Sequence, residues 1–447
     1  MMKSIEEVAR TTPVLAETDV LVVGSGPGGL SAALAASREG VSTMLVERHG
    51  CFGGNITQAN VESIAWYRHE QTVEANGIGM ELERRAQEMG ATQPEPQSTS
   101  QALDTDLFRW VADKIVEDSA IVPLLHCFAV DVIMNGDAIC GIITESKSGR
   151  QAILANQIID ATGDADIVHR SGAPYRMAVK EDLMAVTVSF GCSGVNKDRF
   201  LEYVNENPCT LKDWAKSTTG KEDDLFSPFL REPFSKATAA GEIPKVVGLN
   251  GTWSRLTEEG EATYLNLVYM KGFDPTDVWD LTRGEMEGRQ QAMWALAALK
   301  KYAPGFEKAR LRSFGSSLGT RESRKIVGNY FLTEEDVRNQ AKFDDSIGIF
   351  PEFLDAGVVI IPTTGRYFQV PYGIMVPQKV DNLLVAGRCV AGDKVSHAAT
   401  RQMMCCTVTG QGAGVAAAIS IKEKTTCRNV DIKKVQIALQ KQGVRVQ

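Results

Sequence analysis

The chain has 447 residues, of which 43% are hydrophobic and 23% are charged, so it is long enough for two or three domains and has an ordinary globular composition. Its net charge of -8 disfavours the basic face of a nucleic-acid-binding protein. Residues 1–18 lack the apolar core of a secretory signal, and no apolar run reaches the about 18 residues of a membrane span. We therefore expect a cytoplasmic protein with neither nucleic-acid nor membrane partners.

The nine cysteines show neither a disulfide framework nor a metal motif. Their number is odd and no C-x-x-C pair occurs, and the five histidines have no paired spacing. Cys405 and Cys406 are adjacent, an arrangement that forms a strained ring when oxidised, so we interpret them as packing residues. We expect no metal site and no disulfide reductase chemistry.

The most informative segment is an apolar strand that ends at Gly24 and is followed by a helix and a second strand. Gly24 permits a tight turn, Gly26 lets backbone approach a phosphate, and Gly29 lets the helix pack on the strand. A helix starting near Pro27 would direct its free N–H groups at the phosphates. Glu47 would accept hydrogen bonds from ribose hydroxyls. The pattern predicts a dinucleotide site, for NAD or FAD; the alternative is a structural β-α-β unit without ligand.

The segments after this unit alternate between helix and loop. Helical spacing is seen over residues 71–90 and 104–118, and the polar, proline-containing stretch 92–101 is typical of a loop. Trp66, Tyr67 and His69 are candidates for the wall of a substrate pocket, with aromatic core as the alternative.

The stretch 121–159 predicts a three-stranded meander. Residues 121–134 are strand-like, Asn135-Gly136-Asp137 is a hairpin turn signal, and 139–145 and 152–159 supply further strands. The last strand leads into Ala161-Thr162-Gly163-Asp164, where small residues follow a strand.

The residue composition and the pattern of predicted elements change after residue 173. Four tryptophans, β-like runs and a helical run over 277–302 occupy residues 174–340, which we predict to be a second domain inserted into the first. Residues 341–447 return to the first domain and end with a core strand and a long helix over 397–421.

The N-terminal unit, Ala161–Asp164 and Leu384-Val-Ala-Gly-Arg388 with Asp393 together resemble the glutathione-reductase-type FAD-binding fold, in which such segments enclose one flavin. The resemblance covers nearly the whole chain. It implies an α/β protein: a Rossmann-like FAD-binding domain of parallel sheet plus β-meander, with an inserted mixed α+β substrate domain. It also implies that the last helix points its N-terminus at the isoalloxazine ring. The expected cofactor contacts are Gly24, Gly26, Pro27, Gly28, Gly29, Glu47, Arg48, Gly53, Gly54, Asn55, Ala129, Ala161, Thr162, Gly163, Asp164, Gly387, Arg388 and Asp393.

Within that fold the chain looks most like the fumarate reductase/succinate dehydrogenase flavoprotein branch, and like bacterial FAD-dependent oxidoreductases with Gly319-Thr-Arg-Glu-Ser-Arg324. His397-Ala-Ala-Thr-Arg401 is similar to a His-Gly-Ala-Asn-Arg stretch whose arginine works at the substrate, so the resemblance places Arg401 there. The following Gln-Met-Met-Cys-Cys departs from that branch. Asn55 corresponds to the branch's flavin-linking histidine and cannot form the bond, which implies non-covalent FAD.

Three residues are candidates for catalysis. Arg401 would orient a carboxylate or deliver a proton, with a structural ion pair as the alternative. His397 would act as a general acid or base near neutral pH, with simple packing as the alternative. Arg321 is a weaker candidate for an anion patch facing the flavin, whereas Glu322 and Arg324 are interpreted as an ion-pair network between domains.

We therefore expect an FAD-dependent oxidoreductase that transfers hydride between flavin N5 and a small organic substrate, anionic if Arg401 binds it. Two alternatives stay open: a flavin monooxygenase, and a flavoprotein electron-transfer subunit that needs a partner. The sequence also leaves a homo-oligomer open.

Overall fold

The computed structural model describes residues 4–447 apart from 63, 65–67, 69–71, 95–98, 207–218, 221–227, 246–248, 254, 352–353, 356–358 and 361–364. The candidates Trp66, Tyr67 and His69 lie outside the described residues.

Helices in the described part begin and end as follows: α1 Pro27–Arg38, α2 Asn55–Gln58, α3 Ile78–Glu88, α4 Thr105–Glu117, α5 Asp166–Arg170, α6 Lys197–Glu206, α7 Pro228–Ala239, α8 Val278–Tyr302, α9 Glu334–Arg338, α10 Lys394–Thr400, α11 Met403–Glu423 and α12 Ile432–Lys441. Short 3-10 turns cover Lys180–Asp182, Tyr372–Met375, Gly387–Cys389 and Cys427–Asn429.

Strands are β1 Val14–Val23, β2 Thr43–Val46, β3 Thr92–Pro94, β4 Gln101–Leu103, β5 Ile121–Leu124, β6 Phe128–Asn135, β7 Ala138–Ser146, β8 Gly149–Asp160, β9 Tyr175–Arg176, β10 Val186–Thr187, β11 Phe190–Ser193, β12 Thr219–Gly220, β13 Leu249–Trp253, β14 Ala262–Met270, β15 Arg310–Phe314, β16 Lys325–Ile326, β17 Ser346–Pro351, β18 Leu354–Asp355, β19 Val359–Ile360, β20 Tyr367–Pro371 and β21 Leu383–Val385.

A seven-stranded sheet forms the centre of the first domain, with the order β5-β2-β1-β8-β7-β6 and β21 paired to β8. Strands β5, β2, β1, β8 and β21 are mutually parallel. The end of β1 is apolar and fully buried because helices cover both faces of such a sheet. The predicted α/β fold is confirmed.

Strand β8 joins the meander to the parallel sheet. Its first half pairs antiparallel with β7, and its last residues pair parallel with β21, at Ile158–Leu383 and Asp160–Val385. The hairpin predicted at 135–137 connects β6 and β7, as expected. The single strand predicted over 121–134 is wrong: it is two strands on opposite edges of the sheet, because the chain turns at His126, which has a φ of 55°.

Helices α1 and α11 pack against each other at backbone distance. A Cβ added at Gly410 would lie 2.0 Å from the Gly28 carbonyl oxygen, and one added at Gly414 would lie 2.2 Å from the Ala32 carbonyl oxygen. The contacts advance in the same direction along both helices, so both N-termini lie at the same end of the sheet. Helix α11 is long and apolar enough to cross a membrane, but 94% of its apolar window is buried inside the protein, as in a core helix.

The long C-terminal helix predicted over 397–421 is interrupted. Helix α10 ends at Thr400, and Gln402 adopts an extended conformation (φ -61°, ψ 140°) before α11 begins at Met403. The interruption creates a second helix N-terminus, which the apolar pattern of the sequence does not mark.

A second core of buried residues runs from Val186 to Leu318. It contains the antiparallel sheet β10-β14-β11-β15, with β13 added to β14, and helix α8 packs on it. Ile326, Leu332 and Val337 belong to the first core. The predicted boundaries at 173–174 and 340 are therefore wider than this second core.

Two local predictions differ from the structure. Helix α3 is shorter than the predicted 71–90, because it begins after Gly77. The predicted loop 92–101 contains, at its ends, β3 and the start of β4, which pair antiparallel. The helix predicted at 104–118 is confirmed as α4, whose Asp104 side chain caps the backbone N–H groups of Asp106 and Leu107.

Candidate functional site

A cleft of about 1080 Å³, counted with its open mouth, lies at the carboxyl ends of the parallel strands. Val23, Val46, Ala161 and Ala386, from or just after β1, β2, β8 and β21, line it. Ligands of open parallel sheets bind at this edge. The volume suits a large organic ligand.

The glycines of the first turn have two different roles: two of them allow close packing, and one leaves space at the cleft. Gly24 has a φ of +97°, and a Cβ there would lie 2.4 Å from the Ala161 carbonyl oxygen. A Cβ at Gly29 would lie 1.8 Å from the Gly24 carbonyl oxygen. At Gly26 the nearest atom is Gly54 Cα at 3.9 Å, so Gly26 faces the cleft while Gly24 and Gly29 close the packing behind it.

Two helix N-termini converge on the cleft. Pro27 and Gly28 of α1 line it, as do Met403 and Cys406 of α11. Neither helix has a side-chain cap, so both present backbone N–H groups that would bind an anion.

Glu47 lies at the end of β2, buried in the cleft wall. One carboxylate oxygen accepts from the Ser25 N–H at 2.9 Å and the Ser25 hydroxyl at 2.6 Å, and the other from the His49 N–H at 2.9 Å. These bonds hold the acid where the sequence predicts a ribose. Arg48 donates to His49 Nε2 at 3.2 Å, and burial lowers the pKa of His49.

Arg388 and Asp164 form an ion pair in the middle of the cleft. Arg388 Nη2 lies 2.9 Å from Asp164 Oδ1, and the Ser323 hydroxyl donates to the same oxygen at 2.7 Å. Arg388 Nη1 is buried and makes no hydrogen bond with the described residues. Arg388 lines the cleft, and a guanidinium with a buried nitrogen still without a partner fits an oxygen-rich ligand such as FAD.

One end of the cleft is built by both domains. Arg401 of the first domain lines it, together with Ser317, Leu318 and Thr320 from the end of the second core and the segment after it. The Ser317 N–H donates to the Gln58 carbonyl oxygen at 3.0 Å, so this hydrogen bond joins the two sides of the cleft wall.

The adjacent cysteines are packing residues, as predicted. Cys406 lines the cleft, and its thiol donates to the Arg401 carbonyl oxygen at 3.4 Å. Burial raises the pKa of Cys406 to about 12 and that of Cys405 well above its usual value, so both are neutral thiols.

His397 lies behind the cleft. It is buried, and its Nε2 is 3.1 Å from the Arg321 carbonyl oxygen, so that nitrogen carries the proton. Burial lowers the pKa of His397 well below its usual value, and nearby Lys325 and Arg401 lower it further. The expected general acid or base with a near-neutral pKa is therefore corrected: the imidazole stays neutral and positions the Arg321 backbone.

Arg321 belongs to the packing of the second domain. Its Nη1 donates to the Ala185 carbonyl oxygen at 3.0 Å and to the Thr187 hydroxyl, and its guanidinium lies 4.6 Å from the Tyr269 ring centroid. Arg321 is not among the residues that line the cleft, so its expected place facing the flavin is corrected.

The neighbouring charges form two separate ion pairs rather than one network between domains. Glu322 pairs at 2.6 Å with Lys325, three residues further along the same segment, and Arg324 pairs with Asp166 at 3.0 Å. Because Asp166 lines the cleft, the second pair connects the segment after the second core to the cleft wall.

Asp393 is placed differently from the prediction. Its carboxylate caps α10 by accepting from the N–H groups of Val395 at 3.0 Å and Ser396 at 2.7 Å, and it also accepts from the Glu334 N–H at 2.7 Å. It does not line the cleft, and neither do Gly29 and Gly53.

The other expected cofactor contacts line the cleft: Gly24, Gly26, Pro27, Gly28, Glu47, Arg48, Gly54, Asn55, Ala129, Ala161, Thr162, Gly163, Asp164, Gly387 and Arg388. Sequence reasoning missed Val23, Ser25, Val46, His49, Gln58, Cys127, Phe128, Asp166, Ser317, Leu318, Thr320, Ala386, Met403 and Cys406. Val23, Ser25, Val46, His49, Asp166 and Ala386 were detectable because they lie beside or near expected contacts in the chain, whereas the others reach the cleft through tertiary packing. The described residues contain no group of three His, Cys, Asp or Glu side chains placed to hold a metal.

Comparison with known proteins gives both a family and partial relatives. Residues 19–439 match the model of the FAD dependent oxidoreductase family. A thiamine thiazole synthase of Methanococcus vannielii is 28% identical over 169 residues, which cover 34% of this chain and 59% of the synthase. Sarcosine oxidase subunit alpha of a Corynebacterium species is 41% identical over 70 residues, 16% of this chain and 7% of that subunit.

Among solved structures, the chain matches a geranylgeranyl bacteriochlorophyll reductase-like protein of Thermoplasma acidophilum at 12% identity, with a TM-score of 0.46. The match covers 96% of this chain and 82% of the reductase-like protein. The match to a flavin-dependent brominase covers 95% of this chain and 83% of the brominase chain at 13% identity, with a TM-score of 0.47. Likeness at this level carries no argument about substrate. These relatives do not single out the fumarate reductase branch. The family match spans nearly the whole chain, and we conclude that the chain belongs to the FAD dependent oxidoreductase family and is an enzyme whose cofactor is FAD.

Proposed function

We propose that this enzyme binds FAD non-covalently and transfers hydride between the flavin and a small organic anion held beside Arg401. The observation that carries the proposal is the two-domain end of the cleft, where the Arg401 cation shares one space with Ser317 and Thr320. The similarity of the segment from His397 to Arg401 to the fumarate reductase branch supports the same place for the substrate.

The residues along the cleft suit successive parts of FAD. Glu47 suits the adenosine ribose, and Gly26 with the α1 N-terminus suits the diphosphate. Arg388 Nη1 would donate a hydrogen bond to a part of FAD beyond the diphosphate. Asn55 lacks the ring nitrogen of a flavin-linking histidine, which favours non-covalent binding. When bound, FAD supplies the site that accepts or donates hydride.

The chain's own residues would orient the substrate and exclude water from the reacting atoms. The planar guanidinium of Arg401 would orient a carboxylate through paired N–H donors. The N-terminus of α11 favours negative charge beside it. Leu318 covers the two-domain end with apolar surface and would exclude water from the reacting atoms.

The test is the variant Arg401→Gln, with Arg150→Gln in the exposed β7–β8 hairpin as a matched control. The expected result is unchanged FAD content in both variants, with turnover lowered by about 100-fold or more only in Arg401→Gln, since the proposed charged contact to substrate is removed. Substrates come from a panel of small carboxylic acids that bleach the flavin without oxygen. Normal turnover in Arg401→Gln would remove this residue from the site.

A further inference from the structure

Helix α8 carries an exposed apolar stripe. Trp279, Met286 and Met293 have exposed fractions of 79%, 66% and 42%. Their spacing of seven residues places them along one line of the helix, and Val278 at its start is 66% exposed. Large apolar side chains exposed in a row mark an interaction surface.

The opposite face of α8 supports the cleft. A Cβ at Gly288 would lie 2.3 Å from Val188 Cγ2, so this face packs tightly on the second core. The Glu285 carboxylate accepts from the Leu318 N–H at 2.6 Å, and Leu318 lines the cleft. The exposed stripe therefore lies on the back of the helix that fixes one wall of the cleft.

We propose that the stripe binds the same stripe of a second copy of this chain, with the two α8 helices antiparallel. The helix begins after the acid Asp277, whose carboxylate caps its first turn, and ends with the bases Lys300 and Lys301, of which Lys301 pairs with Glu242 of its own chain. An antiparallel pair places acid near base and opposes the two helix dipoles, whereas a parallel pair would place like charges side by side.

The positions of the side chains in the stripe also match between two antiparallel copies of the helix. When Met286 lies opposite Met293 of the second copy, Trp279 lies opposite Lys300, because both pairs have the same midpoint between Arg289 and Gln290. Methionine packs adaptably against methionine, and an ammonium over an indole ring is favourable. A helix of 25 residues is about 37 Å long, so the stripe extends over most of its length.

The experiment is sedimentation velocity of the full FAD-loaded chain from about 1 to 100 μM, with wild type and the variant M286E. Met286 is 66% exposed, so the variant keeps its fold, which the flavin spectrum and the melting temperature verify. The expected result is a wild-type dimer that M286E weakens by about 100-fold or more, because a carboxylate enters an apolar contact. The matched control is I437E, in α12, where the replaced residue is 51% exposed, and it should dimerise as wild type does.

The double variant M286E/M293K tests the direction of the pair. In an antiparallel dimer each carboxylate meets an ammonium of the other copy, so dimerisation recovers. In a parallel dimer each new charge meets a like charge of the other copy, so dimerisation does not recover. A wild type that stays monomeric throughout, M286E that dimerises as wild type does, or a double variant without recovery would each overturn the proposal.

Discussion

Asp164 and Arg388 lie 224 residues apart in the chain, yet their side chains form a 2.9 Å ion pair in the cleft. The pair joins the loop after β8 to the turn after β21, the two segments that reach the cleft from the same edge of the sheet. Ser323 donates to the same aspartate oxygen, so the segment after the second core meets at this point as well.

Replacing Arg388 with Ala should lower the affinity for FAD by about 10- to 100-fold, since the change removes a buried donor and leaves Asp164 without its cation. Quenching of flavin fluorescence during titration of the apoprotein measures the affinity. Arg428→Ala is the control, because Arg428 pairs with Asp381 and does not line the cleft. Equal affinities for Arg388→Ala and the control would show that Arg388 does not contact the cofactor.

Substitutions of two glycines in the first turn should affect different properties, one the stability of the fold and the other the binding of FAD. Gly29→Ala places a Cβ against the Gly24 carbonyl oxygen and should destabilise the apoprotein by about 2 kcal/mol or more. Gly26→Ala places a Cβ at an ordinary contact distance of 3.9 Å from Gly54 Cα and should leave the melting temperature of the apoprotein nearly unchanged while greatly weakening FAD binding. Calorimetry of both apoproteins, followed by FAD titration, checks this contrast; tight FAD binding by Gly26→Ala would contradict it.

His397 should make the protein less stable in acid. Its pKa in the folded chain lies below the ordinary value of 6.5, so the unfolded chain binds more protons as the pH falls. This contribution to the free energy of unfolding is fully present above pH 6.5 and declines as the pH falls below that value.

Urea unfolding of wild type and His397→Gln at pH 7.5 and 5.5 measures this change. The variant should lose part of the pH dependence, whereas His169→Gln, at an exposed histidine, should change it less. An identical pH dependence in wild type and His397→Gln would contradict the buried neutral imidazole.

Cys406 should be chemically silent, since burial raises the pKa of its thiol to about 12. Cys406→Ser should retain FAD and at least about half of the turnover, because neither a thiolate nor a disulfide takes part. Absorption above 500 nm would reveal a thiolate–flavin interaction; its presence in wild type and loss in the variant would show that Cys406 is ionised beside the flavin.

The sequence predicts those features whose causes are local. The turn at Gly24 and the hairpin at Asn135–Gly136 depend on backbone conformations that few residue types adopt, the helix over 104–118 depends on local apolar spacing, and all three are present. The parallel sheet is implied by the resemblance to the glutathione-reductase-type fold, and its continuous apolar strands agree with a sheet that is covered on both faces.

The features that the sequence does not predict depend on tertiary contacts. The interruption at Gln402 lies within a continuous helical pattern and follows from where α10 and α11 pack. Ser317, Leu318 and Thr320 reach the cleft only because the second core folds back over it. Asp393 was assigned to the cofactor, although an acid followed by Ser396 also matches a helix cap, which is its role.

The most direct test of the proposed reaction is anaerobic stopped-flow absorbance near 450 nm with small carboxylic acids, each carrying hydrogen or deuterium at the carbon to be oxidised. The account predicts bleaching by at least one acid, slowed about threefold or more by deuterium and abolished in Arg401→Gln, since hydride transfer breaks that C–H bond. A flavin reduced only by a nicotinamide, with oxygen from O₂ incorporated into the product, would contradict it.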